Sequence, residues 1–484
     1  MGIRGNARRC WDSEGVEIFR SQFAEGTSEV NVNSTVRVVV EPSGSGVVAH
    51  VGLHALGCFA DRLGVGKSLS ERIPVAGERL PVHDRGKVLV HGMLMLAGGG
   101  EACSDIEYLR GQGALFGSVG SDTTLYRTLT GIDAPTRAGL WEAMAQVRSE
   151  VWSRAGATTG SDPVILDIDA SLHEIHSENK EHAAAHFKRG YGFHPIYCTA
   201  DATGEVLGVK LRPGNAGSNT IGDHEAVLDQ AIAGLPADIA LGHRKGDDPA
   251  LVKRSVWVRT DSAGCTNFVW RCRERNIGFS VVARSNAKVY AAISHVAHDS
   301  QLWTPALTQT GAVDPRAEVI DVTEHADMAA WPSGTRLIVR RERRHPGAQH
   351  SLFPSLEYRY WGHYTDAEGD PAELDVHMRA HAHVEDNIRR LKDSGAQRFP
   401  FSSFEANQTW LDLVCFADTL VRWFQHLCCD GNLAKAEPKT LRWKLWHTPA
   451  RIITRARRQI IRIIEGWPTA TDIENIYKQI ALIT

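Results

Sequence analysis

The chain has 484 residues, 43% of them hydrophobic and 23% charged, with 54 Lys and Arg against 57 Asp and Glu and a formal net charge of −3. That length and apolar share predict a folded, soluble protein of about two to four domains. The near-neutral charge is no mark of a nucleic-acid binder, so such a reading must rest on local basic patches. No apolar run of about 18 residues marks a membrane span, and nine scattered cysteines without Cys-x-x-Cys spacing argue for a reducing, cytoplasmic setting.

Residues 1–45 are mixed and polar, with a Val-rich patch over 36–40 and a Ser/Gly break at 43–46, and predict a loosely organised entrance. From about 50 to 150, apolar residues recur at helical spacing, as in Leu89, Val90, Met93, Leu94 and Leu96, predicting a small helical domain. Between 163 and 284 the pattern changes to short apolar runs at 163–169, 193–200, 205–211, 255–260 and 278–283, with helical patterns at 219–234 and 266–276. The order strand, strand, strand, helix, strand, helix, strand fits an α/β sheet with three antiparallel strands followed by βαβ crossovers, the ribonuclease-H-like arrangement.

Residues 286–365 return to polar sequence with Pro, Gly and β-favouring runs at 336–340 and 356–361, a β-rich insertion. Helical patterns follow at 371–392 and 406–428, separated by Pro400. Residues 435–462 carry nine Lys or Arg against one Glu, with Trp443 and Trp446 interleaved. Their composition suits a phosphate-tracking surface, or a solvated helix face. The predicted organisation is a mainly helical region at 1–155, a first core part at 156–285, the insertion at 286–365, a second core part at 366–430 and a basic helical tail at 431–484.

The stretch Leu166-Asp167-Ile168-Asp169-Ala170-Ser171 sets two carboxylates at the end of an apolar run, Asp261 ends a second such run, and Glu385 lies on the later helical segment. Singly, an aspartate after a strand is as readily a loop cap as a ligand. Three acids from separate elements would make an oxygen-rich site for hard divalent cations, because clustered carboxylates without metal repel and raise one another's pKa. Met378, His381, Glu385, Arg389 and Lys392 recur three or four residues apart and share one helical face. That face suits a carboxylate on metal beside cations on phosphates, or merely an exposed Glu–Arg pair. His173, His176, His182 and His186 invite a zinc reading, but no Glu-centred zinc motif accompanies them. Trp303, Trp331 and Trp361 could stack on an extruded base, although core packing is the expected role of each.

At these residues the chain resembles the DDE transposases of bacterial insertion sequences, most closely insertion-sequence family 1380, over roughly residues 50–450. The resemblance is carried by 166–171, by Lys188-Arg189-Gly190-Tyr191-Gly192-Phe193-His194-Pro195, by Leu211-Arg212-Pro213-Gly214-Asn215-Ala216, by Arg259-Thr260-Asp261-Ser262-Ala263-Gly264, and by 385–392. It implies Asp169, Asp261 and Glu385 as a catalytic triad holding two Mg²⁺ or Mn²⁺ ions, at spacings of 261 − 169 = 92 and 385 − 261 = 124 positions. Related transposases place the glutamate in a Tyr, Arg, Glu, Lys signature. Glu385 and Lys392 keep its last spacing, while Met378 and His381 stand at the Tyr and Arg positions.

The resemblance further implies a DNA-end-binding role for the region at 1–155 and DNA contacts from Lys188, Arg189, Arg212, Asn215, His381, Arg389 and Lys392, with double-stranded DNA (terminal inverted repeats and target) as partner and a homodimer on paired ends. Arg212 and Asn215, in a Pro-Gly turn, would serve equally as loop braces. Asp169 is favoured over Asp167 as first ligand, with Asp167 expected on the opposite side of the strand. Two rival readings stand beside this one. Asp167-x-Asp169 after a strand, with Lys245-Gly246-Asp247-Asp248, also resembles a haloacid-dehalogenase-like phosphatase. A DNA-binding protein that keeps the fold without cutting is the other.

Overall fold

The computed structural model describes residues 28–31, 37–40, 45–74, 81–156, 163–217, 220–248, 250, 254–261, 266–343, 358–456 and 458–483. Val36, Leu356 and the 262–264 end of the Arg259 motif lie outside them. The framework is a nine-stranded mixed sheet, its strands numbered here along the chain: β1 (Val164–Ala170), β2 (Ile196–Ala200), β3 (Val206–Lys210), β4 (Val256–Thr260), β5 (Gly278–Ala283), β6 (Thr304–Leu307), β7 (Val313–Asp321), β8 (Arg336–Arg343) and β9 (Tyr358–Thr365). Their spatial order is β6-β7-β8-β9-β5-β4-β1-β2-β3.

Strands β1, β2 and β3 pair antiparallel, whereas β4 runs parallel to β1 and β5 parallel to β4. Parallel neighbours need crossovers, and helices in the two connections, Ile221–Ala233 and Thr266–Arg273, supply them. β1, β4 and β5 read as apolar runs rather than alternations because the centre of a covered sheet is buried on both faces: Leu166, Ile168, Val256, Val258, Phe279 and Val281 are fully buried. The β-rich insertion is not a separate module. β9 returns to pair antiparallel with β5, and β8, β7 and β6 extend the same sheet beyond it.

The helices used below are α1 (Val51–Arg62), α2 (Arg85–Gly98), α3 (Ala134–Ala155), α4 (Pro371–Arg379), α5 (His383–Leu391) and α6 (Phe404–Cys428). Local signals set their ends. Asp84, Asp133, Asp370 and Ser403 each accept a hydrogen bond from a first-turn amide of α2, α3, α4 and α6 respectively. The long α6 buries Trp410, Leu411, Val414, Leu420 and Phe424 completely, each burial contributing about 1.5–3 kcal/mol. It packs against α2, where a Cβ on Gly92 would lie 3.0 Å from Leu413, and against α1 through a Phe59–Phe424 edge-on ring contact. The expected helical region at 1–155 is therefore not a domain of its own: its buried residues and those of α6 belong to one core cluster that runs from Val48 to Ile483.

Two further differences stand out. The expected helix over 371–392 breaks at Ala380–Ala382, giving α4 and α5. The basic tail is helical only in part: after short helices at Gly431–Ala434, Pro438–Leu441 and Arg442–Trp446 comes a hairpin, Ala450–Arg455 paired antiparallel with Arg458–Ile463 and, at Ala450–Arg451, with Val47–Val48, before a last helix at Ala470–Leu482. The β-branched Ile452, Ile453, Thr454, Ile460, Ile461 and Ile463 favour a strand over a helix. No described helix is long and apolar enough to cross a membrane.

Candidate active site

Strand register assembles the site from below. Arg259 of β4 lies opposite Asp167 of β1, and Thr260 opposite Ile168. One step further, Asp261 emerges beside Asp169. Arg259 grips Asp167 with two hydrogen bonds, Nε to Oδ1 at 2.8 Å and Nη2 to Oδ2 at 2.7 Å. The same guanidinium reaches Asp201 Oδ2 at 2.9 Å and donates to the His377 carbonyl at 2.7 Å. The side chains of Arg259 and Asp167 are 1% and 0% exposed, so this pair forms the buried floor of the site and not part of its working surface.

His381, from the break between α4 and α5, donates Nδ1–H to Asp167 Oδ1 at 2.7 Å. Its charge also acts on Asp169. Asp167 and Asp169, two positions apart, therefore share the strand face turned toward α5, and the expectation that Asp167 points to the opposite side is corrected: period-two alternation puts i and i+2 together. Asp167 is withdrawn from ligand duty by its partners instead.

Above that floor sit the three acids. Burial first, then the negative charge of Asp261, with Glu385 adding to it, push the Asp169 carboxyl up to about 6. Asp261 is exposed on the bend after β4, and Glu385 is exposed in the first turn of α5. Among the described residues, neither the Asp261 nor the Glu385 carboxylate has a hydrogen-bond or ion-pair partner. Three carboxylates that repel one another fit hard divalent cations in donor chemistry. The cluster is open as it stands: among the described residues no three His, Cys, Asp or Glu side chains are gathered tightly enough to enclose an ion.

The expected DNA contacts separate into two groups. Lys188 and Arg189 are exposed on the turn between the short strands Ala184–Ala185 and Tyr191–Phe193, and Asn215 is exposed on its own turn. Lys392 is half-buried and ties α5 to the strand end, donating to Ser171 Oγ at 2.7 Å and to the Leu172 carbonyl at 3.0 Å. Burial, with help from the charge of Lys188, lowers its pKa. A cleft of about 740 Å³ opens beside it, and Lys180, Lys188 and Lys392 line it without a carboxylate ion pair among the described residues.

The other group turns inward. Arg212 is 2% exposed and braces its loop through the His194 and Gly217 carbonyls and Asp223, so the loop-brace reading replaces the DNA contact. His381, 8% exposed and bound to Asp167, is likewise corrected from phosphate contact to support of the floor. Arg389 is half-exposed and shared between Asp386 and Glu437, both at 3.3 Å. Trp303 is buried beneath the Arg341 guanidinium, and Trp331 stacks on Tyr364, so these two serve packing.

Sequence reasoning missed Arg259, Asp201 and His383, which bonds Asp201 at 2.8 Å. Arg259 had a signal: a guanidinium inside the apolar run of β4 demands a buried acid, and Asp167 inside β1 demands a buried cation. The phosphatase reading fails on the same geometry. Its nucleophile would be Asp167, which is inaccessible, and Asp247 caps its own loop by accepting from the Gly242 and Arg244 amides.

A mixed sheet whose two central parallel strands deliver aspartates toward a glutamate on a following helix defines a three-carboxylate α/β protein, the layout abbreviated DDE. The family described as Transposase DDE domain group 1 matches residues 30–484, and the chain belongs to it. Among solved structures it is similar to a piggyBac transposase synaptic complex with hairpin DNA, determined by cryo-EM, at 12% identity over 81% of this chain and 79% of that one, with a TM-score of 0.38. No curated protein matches the chain. Membership of the family makes this a DNA transposase, in a family that works with divalent metal ions.

Proposed function

We propose that the chain is the transposase of a bacterial insertion sequence of the 1380 type, which binds the terminal inverted repeats as a homodimer, cleaves at each end and joins the freed 3′ hydroxyls to target DNA. The observation that carries this reading is the coupling of Asp169 to Asp261 and Glu385 at one sheet edge. The strand order β3-β2-β1-β4-β5, with only the first three antiparallel, supports a ribonuclease-H-like core.

Asp169, Asp261 and Glu385 would hold two Mg²⁺ or Mn²⁺ ions, which supply when bound a Lewis acid and an activated oxygen nucleophile for in-line attack at phosphorus. The remaining residues prepare that place. Arg259 neutralises Asp167 and fixes β1 against β4, so the strand ends carrying Asp169 and Asp261 are held side by side. Lys392 holds the α5 end against Ser171 and keeps Glu385 over the strands. Lys180, Lys188 and Lys392, with Glu101 and Glu174 also in the lining, leave the adjoining cleft with the excess of positive charge that a DNA backbone requires.

Divalent-dependent cleavage of DNA carrying the element's own ends tests the reading. Asp169→Asn, Asp261→Asn and Glu385→Gln are each expected to lower the cleavage rate at least about 10³-fold, as loss of one member of a catalytic unit does, while binding to the ends and cooperative unfolding persist. Undiminished nicking by all three variants overturns the assignment. End binding by the wild type without any nicking would favour the non-cutting reading.

A further inference from the structure

In the C-terminal hairpin the register sets Arg451 directly opposite Arg462 and Arg455 directly opposite Arg458, with Ile453 opposite Ile460 between them. Side chains alternate across a strand, so these six share one face. Ile452, Ile461 and Ile463 take the other face, packed against the core. All four arginines are exposed, and none forms an ion pair among the described residues. Like charges directly opposed across an antiparallel pair destabilise it. Buried arginines elsewhere are neutralised internally: Arg259, Arg275 and Arg340 each hold at least two carboxylates. The hairpin sets two like-charged pairs directly across from each other at the surface, an arrangement that an external anion would relieve.

Spacing indicates the partner. Positions 451 and 455 lie four residues apart, about 14 Å along a strand, close to the roughly 12 Å width of the DNA major groove, which admits a two-stranded β-ribbon; a third strand, Val47–Val48, flanks the hairpin only at Ala450–Arg451. A ribbon seated there brings one arginine pair near each flanking phosphate backbone and leaves the uncharged Ile453–Ile460 pair over the groove. Guanidinium forks suit phosphate oxygens in a way that a diffuse charge patch does not.

We propose that the arginine face of this hairpin is a second DNA-binding surface, a ribbon that grips duplex DNA with elements other than those that carry the acids. The proposal rests on the reading of the chain as a DNA transposase, and it adds the place at which the duplex is held.

The test uses the full chain and a short fluorescent DNA duplex of arbitrary sequence, with affinity measured across a salt series. Replacing all four arginines by Gln is expected to flatten the slope of log K against log [salt] by about 3 to 4, because each phosphate contact contributes about 0.9. R455E/R462E is the decisive variant. It creates opposite charges across both pairs, so thermal stability should hold or rise while duplex affinity falls at least about tenfold and the slope flattens as before. An unchanged slope in both variants overturns the ribbon, as does arginine-dependent binding to phosphatidylserine vesicles in place of duplex. The parent reading is tested separately. Wild-type protein that binds duplex through these arginines yet never nicks end DNA would sink the transposase assignment and leave the ribbon standing, and nicking with an arginine-independent slope would do the reverse.

Discussion

At the residue scale, one guanidinium organises the candidate site. Removing a single partner from a buried ion pair leaves an uncompensated charge, so Asp167→Asn is expected to cost about 3–5 kcal/mol in denaturant unfolding, with cleavage lost alongside stability. A loss of activity without loss of stability would instead return Asp167 to the reacting groups. A second buried acid gives the fold a pH dependence. Asp412 accepts from Trp141 Nε1 at 3.2 Å and Gln408 Nε2 at 2.9 Å; burial first, against the opposing pull of Arg137, raises its carboxyl to about 7. A carboxyl whose pKa is higher folded than unfolded favours the native state while protonated, and that stabilisation disappears as pH rises through the folded value. Relative to Asp412→Asn, the wild type should therefore lose stability between about pH 4 and pH 8, and parallel unfolding curves at all pH values would refute the assignment. Asp169 and Asp261 stood out in the sequence because each follows an apolar run, and Glu385 because it shares a helical face with Arg389 and Lys392. The inward turn of His381 and Arg212 was not, because burial of a cation is decided by partners that arrive from remote strands.

At the element scale, the five core strands and both crossover helices could be read from apolar runs, and they fall close to their predicted limits. The hairpin at 450–463 was not legible because its arginines recur three or four residues apart, a spacing that also suits a helix face, and only its β-branched residues pointed to strands. Beside the acids, the short strands His173–Glu174 and Tyr191–Phe193 approach so closely that a Cβ on Gly192 would fall 2.0 Å from the His173 carbonyl oxygen. Only a residue without a side chain fits. Gly192→Ala should force these strands apart at a cost of about 1–3 kcal/mol, read as a lower melting temperature together with weaker DNA binding through the neighbouring Lys188. Unaltered stability would mean that the strands separate freely.

Across the whole molecule, domain limits were the least legible feature, since composition reports where a chain changes character but not which distant helix completes a core. α6 is packed by α1 and α2 from more than three hundred positions earlier, and residues 286–365 complete the sheet that the insertion was expected merely to interrupt. A fragment of residues 1–155 should consequently lack cooperative unfolding by calorimetry, and a sharp two-state transition from that fragment would restore it as an independent domain.

The distance between the acids along the chain has an outcome for the element's host. Since 385 − 169 = 216 positions separate the first acid from the last, a ribosome must finish most of the polypeptide before the proposed site can be complete. On the proposed assignment, prematurely terminated products that stop short of Glu385 lack one of the three acids, so errors of synthesis would yield bystanders instead of stray nucleases.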